Sequence, residues 1–275
     1  MATLATSFKK ISGLVRSERP LTDEQIIKAA PSVFAESAHG SRSARYAYIP
    51  TSEVLTGLRG EGFQPFMACQ ARTRVEGKEA FTKHLIRFRH EGQINGETAN
   101  EIILVNSHDG TSSYQMLAGC FRFVCHNGLI RGDTVEDFRV RHSGNIVGNV
   151  IEGAFRILNE FEQVDASKGI MQGITLKPEQ QGIFARAALQ LRYDEDEKPP
   201  IEADQLNETR RFDDRGPDLW RTFNRVQENM IQGGLQGTNA NGRRMTTRQV
   251  TGVNENIRLN RALWTLADEM AKLAA

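Results

Sequence analysis

A change of hydrophobic period near residue 142 limits most strongly what this chain can fold into. Upstream, apolar and polar residues alternate over Phe66–Val75, Lys83–His90 and Glu101–Ser107, which is the period of a half-buried strand. Asp109-Gly110 separates Glu101–Ser107 from Ser112–Leu117, a hairpin signal. Phe138–His142 reads as one more short strand. Downstream, Val147, Val150, Ile151, Ala154, Leu158 and Phe161 fall on one helical face. Spacing predicts further helices over 178–193, 217–232 and 254–273, with Pro178 suited to a first helical turn. Leu259, Leu263, Leu266, Met270 and Leu273 form the buried stripe expected of the last one. Two short helices precede the strands, one over Thr22–Ala29 and one opened by Thr51-Ser52-Glu53 and ended by Gly60 and Gly62. Gln232–Gly252, rich in Gly, Asn and Thr, is expected to be irregular. The fold class expected is α+β, an antiparallel sheet from the N-terminal half packed by helices from the C-terminal half. Its expected parts are a basic arm (1–30), an α+β core with a long helix (31–193) and a C-terminal helical region (194–275) that carries a Gly/Arg loop (232–252).

With 35 Lys and Arg against 34 Asp and Glu, the net charge is +1, so only a local patch could attract nucleic acid. The longest apolar stretch, Ile102–Val105, is far short of the ~18 residues of a membrane span, and no membrane partner is expected. Three cysteines with no hydrophobic secretory segment ahead of them point to a reducing, cytoplasmic setting.

Two local basic patches stand out. On the strands, Arg72 and Arg74 share one face of Phe66–Val75, and Lys83, Arg87 and Arg89 share one face of Lys83–His90. If those faces align, five cations line one side of the sheet, a surface suited to a phosphate backbone. In the loop, Arg243, Arg244 and Arg248 follow Gly233-Gly234-Leu235-Gln236-Gly237, and between Gln232 and Arg261 Glu255 is the one acid against five Arg. Glycines let backbone amides approach an anion and Arg forks grip phosphate, although no Walker A spacing is present.

Other clusters carry less. Cys120, Cys125, His126 and His142 lack a Cys-x-x-Cys pair, so no metal is expected, and Cys120 and Cys125 read as small buried packers with a turn at Asn127-Gly128. His108, Asp109, His126 and His142 could serve a metal-dependent nuclease, but an Asp-Gly turn beside a histidine accounts for the first two. No catalytic residue and no cofactor are assigned.

The runs Asn106-Ser107-His108-Asp109-Gly110-Thr111-Ser112, Arg122-Phe123-Val124-Cys125-His126-Asn127-Gly128-Leu129, Arg141-His142-Ser143-Gly144-Asn145 and Gly242-Arg243-Arg244, with Thr247-Arg248 and Asn260-Arg261-Ala262-Leu263-Trp264, resemble the phage/plasmid-like domain-of-unknown-function family of bacterial mobile elements. The resemblance extends over nearly all of the chain after residue 30 and implies a role on a plasmid or prophage. The order helix, strands, long helix is similar, in pattern alone, to the single-strand annealing recombinases of the RecT, Red-beta and Erf type. That likeness implies a homo-oligomer with single-stranded DNA held in a basic groove. At 7% aromatics the chain is poor in stacking platforms, which departs from that pattern. The leading expectation is a non-enzymatic DNA-binding protein that anneals or protects single strands through Arg72, Arg74, Lys83, Arg87, Arg89, Arg243, Arg244 and Arg248. The alternatives are a metal-dependent nuclease and an anti-restriction or anti-defence factor that acts by binding protein.

Overall fold

The computed structural model describes residues 13–42, 48–95, 98–112, 114–122, 127–130, 146–193 and 197–274. The chain divides into two units. Unit 1 holds residues 1–119 and 134–160, and unit 2 holds 120–133 and 161–275.

Unit 1 is built on an antiparallel sheet whose strands follow chain order: β1 (Leu14–Arg16), β2 (Phe63–Gln70), β3 (His84–Asn95), β4 (Thr98–Asn106) and the start of β5 (Gln115–Arg122). The fold is α+β, as the period change predicts. Helix α1 (Asp23–Ala29) starts at a capping box in which Thr22 accepts from Gln25 N and the Gln25 side chain accepts from Thr22 N. Helix α2 (Thr51–Gly60) ends where Gly62 turns the chain at φ +86° straight into β2. Strand β2 therefore starts three residues earlier than the alternation suggests, and it ends at Gln70 rather than Val75. Pro65 falls at a register shift between Pro65 and Met67, which lets the strand tolerate its missing N–H.

The registers sort side chains onto two faces. Ala68, Ile86 and Leu104 align on one, where Val54, Leu55 and Leu58 of α2 and Ile26 of α1 complete a buried apolar core. Met67, Arg87 and Ile103 align on the other, and it too is buried. The first part of helix α3 (Ile146–Gly173) belongs to unit 1, where Phe155 meets Phe63 edge-on at 5.6 Å between ring centroids.

Unit 2 contains the end of β5, β6 (Asn127–Ile130), the rest of α3, α4 (Pro178–Arg192), α5 (Leu219–Gln232), β7 (Gln236–Thr238), β8 (Arg244–Thr246) and α6 (Val253–Ala274). Asn127-Gly128, expected as a turn, opens β6 instead. Buried Trp264 packs edge-on against Trp220 and Phe223 with centroids 6.3 and 5.7 Å apart, joining α6 to α5. Of the expected stripe of α6, Leu259 and Leu263 are buried, Leu266 and Met270 are half-buried and Leu273 is 86% exposed; Val253, Ile257, Trp264, Ala267 and Ala271 complete the buried side. The expected strand Phe138–His142 lies outside the described residues, as do residues 1–12 of the expected basic arm, whose remainder carries β1 and α1.

Candidate nucleic-acid interface

The five cations expected on one sheet face are not brought together. Arg72 and Arg74 lie beyond the end of β2 and are exposed. Lys83 precedes β3 and is buried. Burial lowers the pKa of its ammonium, and the Asp109 carboxylate pulls it partly back.

Arg87 and Arg89 do share a face of β3, but that face is interior: they are 3% and 2% exposed. The register sets Glu101 of β4 opposite Arg89. Its two oxygens take one guanidinium each, Arg87 Nη1 at 2.9 Å and Arg89 Nε at 2.9 Å. Arg89 also lies over the Phe66 ring, 4.4 Å from its centroid. Desolvation and the nearby Arg87 charge lower the half-buried Arg16 to about 10, with Glu101 opposing the shift. On the same face, burial pushes the Cys69 thiol up to about 11. These arginines are structural members of the unit 1 interior, with no surface to offer a phosphate.

The Gly/Arg segment behaves in the opposite way. The expected irregular loop contains a two-stranded ribbon in which Gln236, Gly237 and Thr238 pair with Thr246, Met245 and Arg244. Its strands are three residues each, too short to leave a periodic signature. The tip closes through Asn239, whose side-chain oxygen accepts from Asn241 N and Arg243 N at 3.0 and 2.9 Å, while Gly242 turns at φ +75°. The base is tied down by Thr247 N to Leu235 O and Gly234 N to Thr247 O, both at 2.8 Å. Along the edge, Thr238 N donates to Pro200 O at 2.7 Å, and an added Cβ at Gly237 would lie 2.0 Å from that same oxygen. Only glycine lets the ribbon approach Pro200 so closely.

Arg243, Arg244 and Arg248 are exposed on this ribbon and just past it. Among the described residues no carboxylate pairs with any of the three. Elsewhere in unit 2, exposed or half-buried arginines do find acids: Arg211 with Glu228, Arg221 with Asp218 and Arg258 with Glu255. Beside the ribbon is an open cleft of about 560 Å³ whose lining includes Arg192, Tyr193, Lys198, Met245 and Arg248. Sequence patterns give no hint of it, because it joins the end of α4 to residues some fifty positions away.

The histidine motif sits in a different setting. In unit 1, His84 lies between two hydroxyls, its Nδ1 2.9 Å from Ser32 Oγ and its Nε2 3.0 Å from Thr51 Oγ1. Asn106 donates to Thr51 Oγ1 at 3.0 Å. The His108 ring stands 5.2 Å from the His84 ring and 5.0 Å from that of Tyr48, centroid to centroid. Burial drives both imidazoles toward the neutral form, His84 to about 3, with His108 adding to the effect, and His108 to about 4, with the Ser32 backbone and Asp109 opposing. Asp109 does not face them as a general base: its Oδ1 accepts from Thr111 N at 3.0 Å and Thr111 Oγ1 at 2.6 Å, closing the turn at Gly110. Cys120 is buried, as expected of a packer. His126, His142 and Cys125 lie outside the described residues. Among the described residues no group of three His, Cys, Asp or Glu side chains could hold a metal, and no helix is long and apolar enough to cross a membrane.

Two proteins of Escherichia coli (strain K12) are similar to the chain along nearly its whole length. UPF0380 protein YafZ and UPF0380 protein YfjQ are each 50% identical to it over 270 residues, 98% of this chain and 98% of each relative. No solved structure gives a significant match. A family model described as "Domain of unknown function (DUF932)" matches residues 38–264, and the chain belongs to that family.

Proposed function

We propose that the protein binds nucleic acid, single-stranded DNA foremost, and that the β7–β8 ribbon of unit 2 grips the phosphate backbone. The observation that carries this reading is the trio Arg243, Arg244 and Arg248, exposed on an anchored ribbon and without a carboxylate partner among the described residues. A surface arginine beside an acid is half neutralised before any ligand arrives, whereas these three keep their full charge and their bidentate forks for phosphate. The Thr238 side chain shares the exposed face with Arg244 and adds a neutral donor, while Thr246 Oγ1 on that face donates to Gln236 Oε1 at 3.2 Å.

Backbone contacts of this kind leave base edges free to pair, which suits strand annealing or strand protection better than sequence reading. Arg72 and Arg74, exposed in unit 1, are a second place for phosphate contact. Lys83, Arg87 and Arg89 have no part in it. Annealing calls for many nucleotides on display at once, so the reading includes assembly of several copies in the cytoplasm. The strands of Phe66–His90 cannot supply that contact through their edges, since β2 and β3 already have a neighbour on each side. Strand β1, at one end of the sheet order, is the edge through which another copy would add. Residence on a plasmid or prophage is the setting in which such an activity is useful.

A gel shift on single- and double-stranded oligonucleotides, with and without divalent metal, tests the reading. Binding without cleavage is expected. Metal-dependent cleavage would replace it with a nuclease, and no binding to either substrate would favour a factor that acts on protein.

A further inference from the structure

We propose that the cleft beside the ribbon is a site for one unpaired nucleotide, with the base against Tyr193 and Met245 and the phosphate toward Lys198 and Arg248. The inference rests on the nucleic-acid reading above and adds to it the feature that would separate single strands from duplex. At about 560 Å³ the cleft falls within the roughly 300–1,000 Å³ of small-ligand sites. Its walls divide by chemistry. Tyr193, Pro200 and Met245 offer apolar and aromatic surface, while among the described lining residues Arg192, Lys198 and Arg248 bring three cations and Glu197 one carboxylate; Asp194, Glu195 and Asp196, which precede Glu197 in the sequence, lie outside the described residues. Such a division fits a nucleotide, which presents a flat apolar face at one end and an anion at the other.

The aromatic wall is held in place. Arg192 donates to the backbone carbonyls of Met230 and Arg248, and its guanidinium lies 5.7 Å from the centroid of the Tyr193 ring. The opposite wall is the inner face of the ribbon. Met245 and Gly237 point away from Arg244 and Thr246, and the contact of Gly237 with Pro200 fixes how wide the cleft opens. A duplex keeps its bases stacked and paired, so it can reach the outer arginines but cannot place a base here without unstacking it. A single strand can do both.

The test is fluorescence anisotropy on the full chain with a labelled 20-nucleotide single strand, the matching duplex, and thymidine monophosphate as competitor. The expected result is at least ten-fold tighter binding of the single strand than of the duplex. Tyr193→Leu should weaken single-strand binding five-fold or more, which corresponds to about 1 kcal/mol of stacking, and leave duplex binding unchanged. Millimolar thymidine monophosphate should displace the strand from the native protein in a Tyr193-dependent way, which shows that the site takes a free nucleotide as well as one within a strand. If Tyr193→Leu does not fold, Met245→Ala is read by the same criteria. Equal affinity for single strand and duplex, or unchanged single-strand affinity in the folded variants, overturns the cleft as a nucleotide site. In that case, loss of binding on replacing Arg243, Arg244 and Arg248 would leave the ribbon reading intact. Absence of any binding by the native protein removes both.

Discussion

Arg87 and Arg89 on β3 and Arg243 and Arg244 on the ribbon are the same residue type at similar density along the chain, yet they stand in opposite surroundings. On β3 the register delivers Glu101 between two guanidiniums, and the three side chains are together almost completely withdrawn from water. Their charge is spent inside unit 1, where it fixes the alignment of β3 on β4. On the ribbon the cross-strand partner of Arg244 is the neutral Thr238, Arg243 lies in the turn just before β8, and both side chains stay in water. What separates a buried, paired arginine from an exposed one is therefore the residue set opposite it by register, together with what covers that face. Charge density along the sequence does not decide it.

The largest effect on stability is expected at Glu101. Glu101→Gln leaves Arg87 and Arg89 buried against a neutral amide, and losing one side of a buried ion pair costs about 3–5 kcal/mol. Urea unfolding of unit 1 reads this directly. A variant as stable as the native protein would mean that the arginines are not held as described. Nucleic-acid affinity, measured where the variant is still folded, should not change.

The buried histidines of unit 1 give stability a pH dependence. Burial holds His84 at about 3 and His108 at about 4, below the ~6.5 of an imidazole in the unfolded chain. The unfolded chain therefore takes up protons first as pH falls. The stability these histidines allow is fully present above pH ~6.5 and is lost toward pH 4, at up to ~1.4 kcal/mol per pH unit for each imidazole. Denaturation midpoints at pH 7, 6 and 5 should fall steadily. The same slope in a variant with both histidines replaced by Asn would refute the assignment.

Gly237→Ala comes next, since the new methyl would meet Pro200 O and push the ribbon away. Overpacking of this kind costs about 1–3 kcal/mol. The loss should appear in unit 2 and in nucleic-acid binding, with the urea midpoint of unit 1 unmoved. Unchanged binding would show that the ribbon's seat on Pro200 does not matter to function.

How much of this could be read from the sequence follows from how local each cause is. The α1 cap at Thr22, α4 starting at Pro178, α5 and α6 depend on residues a few positions apart, and all are legible within two residues of where they occur. Glu101 is visible as an acid in an apolar run, but its role depends on an alignment with residues twelve and fourteen positions away. The alternation placed Arg87 and Arg89 on one face correctly and could not say that the face is interior. Pro65 masked the start of β2, and strands of three residues masked the ribbon. His84, Ser32 and Thr51 share no spacing at all and meet only because α2 and the segment before it pack at the end of the sheet. Arg243, Arg244 and Arg248 were legible because their glycine-rich setting keeps them out of any core.

The smallest effect on stability is expected where the effect on function is greatest. Replacing Arg243, Arg244 and Arg248 together by Ala should change stability by about 1 kcal/mol or less, as for exposed charges in general. The direct test of the division between buried and exposed arginines is the salt dependence of single-strand binding in this triple variant. Each lost phosphate contact removes about 0.7 from the log–log slope, so three should flatten it by about 2. A variant that binds with the native slope would mean that these three arginines do not contact phosphate, and would leave Arg72 and Arg74 as the exposed cations to do so.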